Sequence, residues 1–184
     1  MTADPAAAQD PSVPRRHSDE GECLAVDYFL KIDGIPGEST DSKHKDEIDV
    51  EAWSWGEVNP VEHVAGGGAG AGKVQMQDLN FTAPFSKASP NLFLACASGK
   101  HLKSAVLSAR RAGKSQAEFL TFSLSDVLVS SYQTAGAEAG DVSPVDSVSL
   151  NFSKIQIEYK EQKADGSLGD SIKAGWDVKQ NKQL

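Results

Sequence analysis

Val148-Ser149-Leu150-Asn151-Phe152-Ser153-Lys154-Ile155-Gln156-Ile157-Glu158-Tyr159 is the stretch whose reading decides the fold. Apolar and polar residues alternate along it, the period of a strand with one buried face. The apolar residues start on even positions, at Val148, Leu150 and Phe152, and finish on odd ones, at Ile155, Ile157 and Tyr159. A one-residue slip turns every later side chain to the opposite face. The strand therefore carries a β-bulge near Ser153-Lys154, or it bends from one sheet into another.

The same alternation spreads outward to 117–133 and 101–112 on one side and to 174–180 on the other. Further upstream, Val26, Tyr28, Leu30 and Ile32 share one face of a strand that Asp33-Gly34 ends. Strand character returns over 48–56 and 74–81. One segment has helical spacing. Ser89 suits an N-cap, Pro90 the first helical position and Gly99 the stop, with Leu92, Phe93, Cys96 and Ala97 as the buried stripe. Seven candidate strands and one helix predict an all-β fold, a two-sheet sandwich or barrel. Two polar segments read as long exposed loops: 36–47, and 57–73 with its glycine run Gly66 to Gly72.

The 184 residues suit one folded domain. Residues 1–24 contain Pro5, Pro11 and Pro14 but, between Thr2 and Cys23, only Val13 as a large aliphatic residue. That content cannot offset the entropy of ordering, which predicts a disordered extension ahead of a domain over 25–184. Arg15-Arg16 is followed by polar residues, so the extension does not read as a secretory signal peptide. The formal net charge is -8, which repels phosphate backbones and argues against a nucleic-acid partner. No apolar run is long enough to insert in a membrane. Cys23 and Cys96 read as free thiols.

Motifs that look chemical are weak. Gly67-Gly68-Ala69-Gly70-Ala71-Gly72-Lys73 matches the start of a phosphate-binding loop, but Val74 replaces the hydroxyl residue that magnesium needs and no helix follows. His17, His44, His63 and His101 lack metal-ligand spacing. Asp165-Gly166 reads as a turn, and Arg110 and Arg111 face opposite sides of a strand. No cofactor, metal or catalytic constellation is expected. Trp53 and Trp55 point to one face of a strand, each able to bury about 150–250 Å². They are core residues or the platform of a sugar-binding module, and the shortage of large residues elsewhere favours core. On the opposite face lie Ala52 and Ser54.

Several stretches together resemble the Hcp proteins, the tube subunits of type VI secretion systems. They are Val26-Asp27-Tyr28-Phe29-Leu30-Lys31-Ile32, Glu47-Ile48-Asp49-Val50, Trp53-Ser54-Trp55-Gly56, Gly72-Lys73-Val74 and Gln77-Asp78-Leu79-Asn80-Phe81. Ser89-Pro90-Asn91-Leu92, Val127-Leu128-Val129-Ser130-Ser131, Gln162-Lys163-Ala164-Asp165-Gly166 and Gly175-Trp176-Asp177 continue the series. The resemblance spans 25–184; the extension before Cys23 departs from it. It implies a non-enzymatic barrel with one flanking helix, forming homohexameric rings that stack into a tube. It also implies sheath and spike or baseplate partners, small effector proteins in the lumen, residence in the bacterial cytoplasm before assembly, and export through the apparatus. The tube of a phage-tail-like contractile particle is the neighbouring reading. On the tube reading Ser54 and Ala52 face the lumen. Gly37, Glu38, Lys43, His44, Gly67, Gly70 and Gly72, on the two long loops, become contacts between stacked rings.

Overall fold

The computed structural model describes residues 25–64, 68–71, 73–111, 116–136, 143–163 and 167–184, with backbone alone over 61–64 and 68–71. The elements in chain order are β1 (Val26–Ile32), β2 (Ile48–Val50), β3 (Ala52–Ser54), β4 (Glu57–Val58), β5 (Val61–Val64), β6 (Gly68–Ala71), β7 (Gln75–Met76) and β8 (Leu79–Pro84). The helix α1 (Ser89–Ser98) follows, then β9 (His101–Arg111), β10 (Glu118–Ala135), β11 (Val145–Gln162), β12 (Leu168–Asp177) and β13 (Lys182–Gln183). Among the described residues the fold is all-β with one helix, as the sequence pattern predicts.

The strands form a closed circuit. β1 pairs β9, β9 pairs β10, β10 pairs β11, β11 pairs β8 and β8 pairs β3, all antiparallel. β2 pairs β1 and leads straight into β3, which closes the ring of pairings. The expected single strand over 48–56 is thus two short strands. Glu51 is the corner between them, its N–H bonded to the Thr82 carbonyl at 2.9 Å. Leu30, Ile48, Leu79, Phe81, Leu107, Phe122, Leu124, Val148, Leu150 and Phe152 fill the interior.

β11 resolves the phase switch as a bend between partners. Its first part pairs β8 over Val145 to Leu150, and its second pairs β12 from Lys154 onward. Burial flips at the consecutive buried residues Phe152 and Ser153. No register shift occurs there: Ser125↔Lys154 and Val127↔Phe152 keep one register. Between them Asp126, at φ 53°, stands opposite Ser153 and accepts its hydroxyl proton at 2.6 Å. Aspartate tolerates that left-handed backbone because its short side chain bonds locally. β10 switches phase at the same level, from buried Phe122 and Leu124 to buried Val127 and Val129. Register shifts lie elsewhere, between Val129 and Ser131, between Glu118 and Leu120, and between Lys160 and Gln162.

Several other expectations need correction. The segment 57–73 is not one open loop: β5 and β6 pair as a hairpin and β4 pairs β7. Strand character over 74–81 divides into β7 and β8, and the last long strand starts at Leu168 rather than residue 174. Ser89 is not the N-cap. Ala88 holds that place, and the Ser89 hydroxyl is taken by the buried carboxylate of Asp146, which also accepts the Tyr132 hydroxyl at 3.0 Å. Burial comes first in raising the Tyr132 phenol above its ordinary range. Gly99 does end the helix, at φ 61°. The buried stripe is Ser89, Leu92 and Ala95, with Cys96 half-buried; Phe93 and Ala97 are exposed, because one helical edge alone touches the barrel.

The segment 36–47 is a loop with most of its residues exposed, as expected, but it is anchored rather than free. It folds back over the outer face of β1 and β9, and Gly37, Ser39 and His44 are buried. The Gly37 N–H bonds the Asp46 carbonyl at 2.7 Å, the Ser39 N–H bonds the Glu47 carbonyl at 3.0 Å, and the Asp46 N–H returns to the Ser39 carbonyl at 2.9 Å. A Cβ on Gly37 would overlap the Glu47 carbonyl. Residues 1–24, Cys23 and Asp165-Gly166 lie outside the described residues.

Candidate functional site

The outer face of β3, β8, β10 and β11 is a shelf of small polar side chains. Core burial takes Trp53, Phe81 and Val148 inward, so alternation turns Ala52, Ser54, Asn80, Thr82, Ser147 and Ser149 outward. They line a shallow depression of about 370 Å³. Hydrogen bonds tie the shelf together: Ser149 donates to Asn80 at 2.6 Å, and Asp78 accepts from Asn151 at 2.8 Å and from Ser130. Ala52 and Ser54 are exposed upon it. The surface is polar but offers no concentrated charge.

Trp53 and Trp55 share the opposite face and are half-buried. Their rings meet Phe122 edge-on, with centroids 5.0 and 6.0 Å away, and Trp53 also meets Tyr28 at 6.1 Å. They are packed against the core rather than laid flat as a sugar platform.

Beneath the folded-back segment sits a polar cluster. Arg110, 4% exposed, reaches Asp41 at 2.8 Å and Asp27 at 3.2 Å and lies 4.9 Å from the Phe29 ring centroid. Asp41 also accepts the N–H groups of Lys43 and His44. Arg110 first, and these N–H groups after it, hold the Asp41 carboxyl well below the usual carboxylate range. His44 stacks on Phe29 with centroids 4.2 Å apart and bonds Glu47 through Nδ1 at 2.9 Å. Gly37 and His44 are therefore occupied inside their own subunit. Glu38 and Lys43 stay exposed, though Glu38 accepts the Lys87 N–H and Lys43 reaches the Gln116 carbonyl. Gly70 lies in β6, while Gly67 and Gly72 fall outside the described residues.

β12 and β13 extend β11 as a wing beyond the barrel. Lys179, Ser153 and His101, in that order, hold the Asp126 carboxyl well below its ordinary range and tie the wing to β9 and β10. On the wing, Ser171, Lys173 and Lys160 pull Glu158 down to about 2. Sequence reading missed the Asp126–Ser153 link, although the even-to-odd change from Phe122 and Leu124 to Val127 and Val129 was legible there too. Among the described residues no group of His, Cys, Asp and Glu is placed to hold a metal ion, and no helix is long and apolar enough to cross a membrane.

The described fold is a barrel with a polar shelf, a separate two-stranded hairpin and a side wing. The family described as "Type VI secretion system effector, Hcp" matches residues 29–159. Protein hcp1 of Pseudomonas aeruginosa is 48% identical over 162 residues, which are 87% of this chain and 99% of the relative. The crystal structure of Hcp1 from Salmonella typhimurium has a TM-score of 0.74 at 40% identity, covering 88% of this chain and 100% of that one. A structure titled as a type six secretion system protein has a TM-score of 0.83 at 31% identity, covering 87% and 100%. The chain belongs to the Hcp family, the tube proteins of the type VI secretion system.

Proposed function

We propose that this chain assembles as homohexameric rings which stack into the inner tube, with the polar shelf around Ser54 turned to the lumen. The shelf carries the reading. On this face small hydroxyl and amide side chains replace bulk, so a ring that turns it inward keeps an open, wettable channel. Small effector proteins ride against it, while sheath and spike or baseplate components engage the outside. The subunit waits in the cytoplasm and leaves through the apparatus. Its role is structural, not catalytic. Head-to-tail contact of unlike surfaces closes a ring when the rotation permits. Glu38, Lys43 and the β5–β6 hairpin, including Gly70, are the contacts between stacked rings.

Negative-stain microscopy and native mass spectrometry of the purified protein test assembly: a hexamer is expected, and a monomer at micromolar concentration overturns the reading. Ser54→Gln tests the lumen. It adds bulk where solvent stands, so rings persist while pull-down of a small effector weakens. Loss of rings or of folding would instead put Ser54 in a packed interface.

A further inference from the structure

The side of α1 turned away from the barrel is apolar. Pro90, Phe93, Leu94 and Ala97 stand on it at the i, i+3, i+4, i+7 spacing of one helical face, away from buried Leu92 and Ala95. Phe93 is 54% exposed and Leu94 59%, and Phe85, just before the helix, is exposed as well. The helix carries no charged residue. Single exposed apolar side chains need no explanation, but a whole face of them on a helix without charges marks a contact surface.

The wing shelters a groove of about 680 Å³ that nothing above uses. Val74, Met76, Ile157 and Trp176 line it, and small Ala174 and Gly175 leave room beside them. α1 cannot fill the groove of its own subunit. It packs on β10, with Phe93 edge-on to Tyr132 at 6.3 Å, and Ser89 bonds Asp146 near the start of β11. The groove begins at Ile155, and from Asp146 to Ile155 the strand runs about 30 Å. Helix and groove therefore sit on opposite halves of β11, the placement that a head-to-tail contact of unlike surfaces requires.

The charges beside the two surfaces are complementary. Exposed Lys100 follows the end of α1, and exposed Glu57 stands at the edge of the groove. Neither makes an ion pair among the described residues. We infer that α1 of one subunit seats its apolar face in the wing groove of the next copy, with Lys100 against Glu57. This rests on the ring reading above and adds which two surfaces close the ring. One helical face is small beside a standard interface, so the contact gains its strength from closure, where every copy makes it twice.

Sedimentation velocity of the full chain over a concentration series reads assembly, and thermal circular dichroism at a dilution where no chain assembles reads the fold. Leu94→Glu puts a charge into the contact: the melting temperature stays, while the midpoint concentration of ring assembly rises more than about tenfold. Lys100→Glu and Glu57→Lys each raise that midpoint about three- to tenfold at low salt, and the two together return it to the unaltered value, because the pair is restored with its signs exchanged. Assembly of Leu94→Glu at the unaltered midpoint overturns the inference and leaves the ring reading standing. A fall in its melting temperature puts Leu94 in the subunit's own core and overturns the inference too. So do single charge changes without effect, or a double variant that fails to recover, since the helix then meets some other surface. An unaltered chain that stays monomeric at micromolar concentration overturns the ring reading itself and this inference with it.

Discussion

The two polar segments 36–47 and 57–73 look alike in sequence and end up opposite in structure. The first is cemented to the barrel. Its backbone pairs with itself, His44 stacks on Phe29, and Asp41 meets Arg110. The second forms small sheets separate from the barrel: β5 pairs β6 within it, and β4 pairs β7 just beyond its end. Polarity is therefore a poor guide to exposure. What matters is whether a buried partner waits elsewhere in the fold, and for the first segment one does.

The largest effect expected from breaking this contrast is at Gly37. Gly37→Ala forces a Cβ against the Glu47 carbonyl, and backbone cannot give way as a side-chain tip can. The segment must lift off the barrel, at a cost of about 2–3 kcal/mol. For a chain of this size that lowers the melting temperature by roughly 5–10 °C, read by thermal circular dichroism.

Arg110→Met comes next. It removes both ion pairs but leaves Asp41 bonded to two backbone N–H groups and Asp27 open to water, so the loss is roughly half as large. Its pH dependence identifies the cause. Asp41 titrates lower in the folded chain than in the unfolded one, so its contribution is full above about pH 4 and falls away as pH drops toward the folded value. Urea midpoints of the variant and the unaltered protein should differ most at neutral pH and converge in acid. A gap that stayed constant to pH 2 would mean that Arg110 acts through packing on Phe29 instead.

The smallest effect on the subunit belongs to the hairpin. Gly70→Pro fixes φ and removes an N–H within β6, but the barrel does not rest on that pairing. Subunit stability should stay within about 0.5 kcal/mol, while sedimentation should show shorter stacks of rings. A large fall in melting temperature would show that the hairpin supports the barrel after all.

Much of the fold was legible in the chain. Alternation marked β1, β9, β10 and β11 but only the end of β12, Gly99 marked the helix end, and the change of phase after Phe152 marked a strand with two partners. Helical spacing was less reliable: Phe93 fits the apolar stripe yet lies exposed, because a ten-residue helix resting on a barrel buries a narrow edge. Of the candidate site, Ala52 and Ser54 were legible as outward-facing because alternation set them against two tryptophans. The shelf around them was not, since Asn80, Ser147 and Ser149 come from two other strands and pairing alone brings them level.

The sequence by itself determined the class of fold, the place of the one helix, the shared face of Trp53 and Trp55, and the family. Each of these is written in local order, in periodicity or motif, and needs no distant residue. Only the tertiary structure decided that the sheet closes through the corner at Glu51 and that β1 and β9 are covered on both faces around Phe29, Ser108 and Arg110. Those outcomes rest on partners far apart along the chain, Glu51 with Thr82 and Asp41 with Arg110. Local periodicity reports that a side chain is covered, but not what covers it.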